Sequence, residues 1–169
     1  ESNDFLNKLS IIHLFNNLYS SDKLEKYINS KNQTIFLDTQ ILIRMLCILY
    51  KEDFDFEDAA LQSVKVLIKT LEKYRDRIKV YTSYDYIEEV AGHLLEAIQL
   101  QRFLKLSYVA KLGKSKNVFY NTYSDLIKKG VLDIDTEFID FIQELLDKEL
   151  IQFNHSEFIK YASERISEI

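Results

Sequence analysis

Three groups of residues in this chain have the types and spacing to do chemistry. Asp38-Thr39 follows a run of strand formers, Thr34–Leu37. From Ile41 to Tyr50, nine of ten residues are apolar and Arg44 is the one charge. Ser83 stands just beyond a second strand-like run, Ile78–Tyr81, with Glu88 and Glu89 close behind it. If the two runs are neighbouring parallel strands, Asp38 and these glutamates reach the same sheet edge, where open α/β sheets bind their ligands. Carboxylates brought together repel. A divalent cation removes that penalty, and hard oxygen ligands suit Mg2+ or Mn2+. The structural alternatives are plain: Asp38 as a helix cap, and Glu88 and Glu89 as acids favoured near a helix N-terminus.

The third group is basic. From Ala97 to Ser124 there is no acid, while Arg102, Lys105, Lys111, Lys114 and Lys116 are interleaved with Phe103, Tyr108, Phe119, Tyr120 and Tyr123. Cations among aromatics suit single-stranded or unpaired nucleic acid, by phosphate contact and base stacking. They equally suit a helical hairpin whose aromatics form core. Lys65, Lys69 and Lys73 recur every fourth residue, which is the pattern of a solvated helix face.

The elements that must position these residues follow from periodicity. Thr34–Asp38 reads as a strand and Thr39–Tyr50 as a buried helix. After the loop Lys51–Glu57, a long helix runs to about Arg75 with Val64, Leu67, Ile68 and Leu71 on one face. Ile78–Tyr81 is a second strand, and Thr82-Ser83 caps the next helix, with Asp85 three residues past Thr82 as in a capping box. A helical crossover makes the two strands parallel. That third helix buries Ile87, Val90, Ala91, Leu94 and Ile98. Gly113 and Gly130 end helices. Asp133–Leu146 is expected as a helix capped by Thr136, Leu150–Phe153 as a third strand, and Ser156–Ile169 as a final helix. Ahead of all this, Asp4–Tyr19 and Lys23–Asn29 form a helical N-terminal extension over residues 1–30, with His13 in it and no partner ligand in reach. The expected fold class is therefore α/β, helix-rich, with a small parallel sheet surrounded by long helices over residues 31–169.

Composition limits the alternatives. The chain has 169 residues, 47% of them hydrophobic, with eleven Phe, eleven Tyr, three Gly and no Pro. That suffices for a buried core and favours long helices over many tight turns. The single cysteine, Cys47, excludes an internal disulfide and any multi-cysteine zinc site. No apolar run is long enough to span a membrane, and no signal or lipidation motif is present, so a cytoplasmic setting is expected. The net charge of −5 argues against coating nucleic acid by bulk attraction. The first residue is Glu1 and the last, Ile169, falls inside a helical pattern, as in a piece of a longer parent.

Taken together, these residues resemble a known family. IFLDTQILIRML is similar to the first motif of PIN-domain nucleases, a strand ending in Asp-Thr before an apolar helix. VYTSYDYIEEV resembles their second, a strand ending in Ser or Thr with Glu six residues past that Ser, here Glu89. The resemblance covers Gln33–Leu95. It implies a Mg2+- or Mn2+-dependent hydrolase cutting phosphodiester bonds, mostly of RNA. Asp38 and Glu89 would be catalytic metal ligands, Thr39 would orient Asp38, and Ser83 and Glu88 would support the site. A metal-bound water would act as nucleophile. The family usually has Asn where Gln40 stands, and its later aspartate motifs are not found after Gly130. Asp133, Asp135 and Asp140 belong to an acidic amphipathic pattern instead. Two other readings stay open: a catalytically inactive interaction module, binding a protein partner through the N-terminal helices or the rest of a longer chain, and an RNA-binding regulator that does not cleave.

A haloacid-dehalogenase-type phosphatase needs a second Asp where Gln40 stands, and no glycine-rich phosphate loop follows either strand.

Overall fold

Helix α1, Thr39–Tyr50, is apolar on every side and accordingly buried. Leu42, Ile43, Met45, Leu46, Cys47 and Ile48 are all inaccessible or nearly so. A helix of that kind is stable only at the centre of other elements. The computed structural model describes residues 26, 29–104, 115–149 and 154–167, with residues 101–104 described by backbone alone. The described elements run β1 (Gln33–Phe36), α1 (Thr39–Tyr50), α2 (Ala59–Lys73), β2 (Ile78–Tyr81), α3 (Tyr84–Leu104), α4 (Val118–Lys128), α5 (Phe138–Leu146) and α6 (His155–Ser167). The chain is therefore helix-rich with a small parallel sheet, an α/β arrangement. The expected helix Asp4–Tyr19, His13, Gly113 and the expected strand Leu150–Phe153 lie outside the described residues.

The described residues fall into two compact units. One takes the chain as far as Phe36 together with Thr70–Tyr81, and holds the sheet. Its strands pair in parallel as expected, in a register running from Gln33 opposite Ile78 to Phe36 opposite Tyr81. Arg77 closes this unit locally: its guanidinium donates to the Asn29 carbonyl at 3.0 Å, and its own carbonyl accepts from the Gln33 N–H at 2.8 Å.

The other unit comprises Leu37–Lys69 and the chain from Thr82 onward. Here α1 and α3 pack on each other, and both pack on α4, α5 and α6. Their shared core is built from Val90, Ala91, Leu94 and Ala97 of α3, Phe119 and Leu126 of α4, Phe141, Ile142 and Leu145 of α5, and Phe158 and Ala162 of α6. Aromatic rings knit α4 to α5: Tyr123 stands edge-on to Phe138 at 5.0 Å and tilts against Phe141 at 5.5 Å.

Helix ends explain where the sequence reading needs correction. The expected helix from Asp133 begins only at Phe138. Asp133 bends the chain first, its carboxylate accepting from the Asp135 N–H at 3.1 Å and its carbonyl from the Thr136 N–H at 3.0 Å. An aspartate that can serve a local turn competes with helix in this way. Thr136 is therefore no cap; Glu137 holds that position, without a side-chain bond. Gly130 does end α4. At φ +67° it takes the left-handed conformation, while Val131 N–H reaches back to Leu126 and Gly130 N–H to Ile127, the paired bonds of a Schellman motif.

Candidate active site at the starts of helices α1 and α3

Asp38 caps α1. Its backbone is extended, and its Oδ1 accepts from the Ile41 N–H at 2.9 Å, satisfying one of the helix's orphan donors. The side chain is exposed, and its second oxygen takes no hydrogen bond from a described residue. The capping alternative thus holds for one oxygen and leaves the other without a described donor.

Both chain neighbours of Asp38 are bound to the second motif. Just before it, the Leu37 carbonyl accepts from the Thr82 hydroxyl at 3.0 Å. Just after it, the Thr39 hydroxyl donates to Oε2 of Glu89. Thr39 is only 4% exposed, so this hydroxyl has little water to turn to, and Glu89 is what satisfies it. The expected partner of Thr39 was Asp38; its observed partner is the second carboxylate. Glu89, the acid that the family resemblance singles out, is thereby bonded to the residue next to Asp38.

Ser83 caps α3, its hydroxyl accepting from the Tyr86 N–H at 3.3 Å. The capping box expected from Thr82 and Asp85 does not form, because Ser83, one residue later, holds the cap position while Thr82 donates to Leu37. Glu88 is exposed, beside Glu89 in α3. Among the described residues, no group of three His, Cys, Asp or Glu gathers into a metal-sized cluster. Asp38 and Glu89 each have one oxygen committed to a protein donor, and the other takes no hydrogen bond from a described residue. Hydrated Mg2+ or Mn2+ keeps several waters and takes one or two carboxylates from a protein.

The basic segment is only partly described. Lys105, Lys111 and Lys114 lie outside the described residues, as does the side chain of Arg102, whose backbone is in α3. Lys116 is exposed, one residue before the cap of α4. That cap, Asn117, is a junction that sequence reasoning missed. It is 1% exposed, accepts from the Tyr120 N–H, and donates to the His93 carbonyl at 2.8 Å and to Glu96 at 2.9 Å. A Ser-Lys-Asn run before an apolar helix signals a cap, but nothing local signals the bonds back to α3.

Cys47 is fully buried, and burial pushes its thiol up to about 12, partly offset by the Thr122 hydroxyl beside it and by Arg44. The Thr122 contact falls short of a hydrogen bond, so Oγ1 has no partner among the described residues. A thiol held neutral in this way is inert as a nucleophile. At the far end of α1, a shallow groove is lined by Tyr50, Lys51, Phe54 and Val131. The twelve residues of α1 put it about 18 Å from the acids. Comparison with protein-family models, curated proteins and solved structures finds no match.

Proposed function

We propose that this chain is a PIN-like, Mg2+- or Mn2+-dependent endoribonuclease, or the part of one that carries its first two acids. The observation that supports this reading is the double tie around Asp38: Leu37 to Thr82, and Thr39 to Glu89. It joins the two motifs from which the resemblance was drawn. Asp38 and Glu89 would hold the cation through their uncommitted oxygens. Thr39 holds Glu89 in place, and the Ile41 N–H holds Asp38. When bound, such a cation supplies a nucleophilic water and stabilises charge on the leaving oxygen.

Two carboxylates hold magnesium weakly, because it gives up its hydration reluctantly. Residues 1–169 alone are therefore expected to cleave slowly at most. The test is an RNA-cleavage assay in manganese on the full chain beside Asp38→Asn and Glu89→Gln. Whatever cleavage is seen should vanish in both variants. Cleavage that persists in either one belongs to something other than this site and overturns the reading. Robust cleavage abolished by both would keep the site and refute the expectation of an incomplete acid set.

A further inference from the structure

One face of the sheet is open to solvent at every paired position, while on the other only Val80 is exposed, at 41%. Residues paired across parallel strands share a face, and alternate residues along a strand do too. Thr34 and Phe36 of β1 therefore stand beside Lys79 and Tyr81 of β2, and all four are exposed. Phe36 and Tyr81 are stacked, with ring centroids 5.7 Å apart and planes 30° from parallel. Phe36 remains 73% exposed and Tyr81 48%. Two adjoining rings left this open are not core. Water-exposed aromatic surface is costly to keep, and it commonly marks a binding site.

Charge narrows the partner. The described residues of the unit that holds this sheet (26, 29–36 and 70–81) carry six cations (Lys26, Lys31, Lys73, Arg75, Arg77 and Lys79) against two acids, Glu72 and Asp76, in a chain whose net charge is −5. Cations are thus in excess in the unit that carries the exposed aromatics, and Lys79 stands on the face itself. A second copy of the chain is a poor occupant, since a two-fold interface sets the same surface against itself and would oppose these positive segments. The face also lacks an aliphatic side chain, which an amphipathic partner helix would want. An anionic polymer with flat, stackable groups satisfies both features.

We propose that the Phe36–Tyr81 face is a stacking platform for single-stranded nucleic acid. Bases lie on the exposed rings, and Lys79, two residues or about 7 Å along β2 from Tyr81, meets a phosphate. The site shares with the proposed function the expectation of a nucleic-acid partner, but it needs no metal and no catalytic acid.

Binding of fluorescein-labelled oligouridine and oligothymidine to the full chain is measured by anisotropy in EDTA. This separates binding from cleavage: loss of the Asp38–Glu89 reading would leave the result unchanged. Phe36→Ala with Tyr81→Ala should weaken binding at least about fivefold, the low end for losing one base–aromatic stack. Phe36→Tyr with Tyr81→Phe should bind as the parent does, since both keep a ring. Lys79→Gln should lower the slope of log affinity against log salt by about 0.7, one phosphate contact on a single strand. Comparing the two oligonucleotides tells RNA from DNA as the preferred strand. Equal affinity of the parent and the double alanine variant overturns the proposal. So does a chain that binds neither oligonucleotide but self-associates through this face, with dimerisation in sedimentation lost on the alanine changes.

Discussion

Replacing Thr39 by Val tests the tie between the two motifs at its strongest bond. The substitution keeps the size and β-branching of a residue that is 4% exposed, so it opens no cavity and removes only the hydroxyl that serves Glu89. A hydrogen bond to a charged group contributes roughly 1.5–3 kcal/mol. Glu89 itself is exposed and regains water when the hydroxyl goes, so the loss should fall at or just below the lower end of that range, about 1–1.5 kcal/mol. For a chain of this length that is a fall in Tm of about 2–6 °C. Urea unfolding of the parent, Thr39→Val, Glu89→Ala and the double variant closes a cycle whose coupling energy should be about 1 kcal/mol. Coupling within the roughly 0.3–0.5 kcal/mol expected of independent sites would refute the tie.

Two further outcomes concern the core behind this site. Because the Cys47 thiol is held protonated to about pH 12, against 9.0 for the unperturbed group, the unfolded chain loses that proton first as pH rises. The stabilisation is complete below about pH 9 and declines from there to about pH 12, by up to 1.4 kcal/mol per pH unit. Urea unfolding of the parent should therefore weaken more steeply with alkali than that of Cys47→Ala; matching slopes would contradict this. Thr122→Val should stabilise the chain by about 1 kcal/mol, since it replaces a buried hydroxyl that has no partner among the described residues. A loss of stability on that change would show that the hydroxyl is satisfied in solution.

What the sequence made legible was local. The limits of α1 and β2 could be read from it to the residue, because an unbroken apolar run and an alternating strand each stop at a strong signal: Asp38 in front of the helix, Thr82-Ser83 after the strand. The start of α5 could not, because Asp133 serves turn and helix equally well in composition, and only the bonds to Asp135 and Thr136 decide between them. At the candidate site, Asp38 and the pair Glu88 and Glu89 could be named from type and spacing, Glu89 alone only from the family resemblance, and the parallel pairing from the helical crossover. The actual cross-links could not. Thr39 and Glu89 are 50 residues apart and Thr82 and Leu37 are 45 apart, and a threonine's hydroxyl gives no sign in the sequence of whether it caps its own helix or reaches another. The exposed Phe36–Tyr81 pair was hidden for a related reason: strand aromatics read as core until the sheet shows which face is covered.

The proposed function requires Asp38 and Glu89 to hold one cation between them. Asp38→Asn and Glu89→Gln are the informative variants, since Asn caps a helix about as well as Asp and Gln still accepts from Thr39, so each removes a charge while sparing the fold. Manganese binding to the full chain, followed by the loss of its free-ion paramagnetic resonance signal, measures the site without requiring catalysis. The expected result is binding by the parent that weakens about tenfold or more in each single variant, with the double variant little worse than either, as for two ligands of one ion. Equal manganese affinity in the parent and both variants would contradict the shared site.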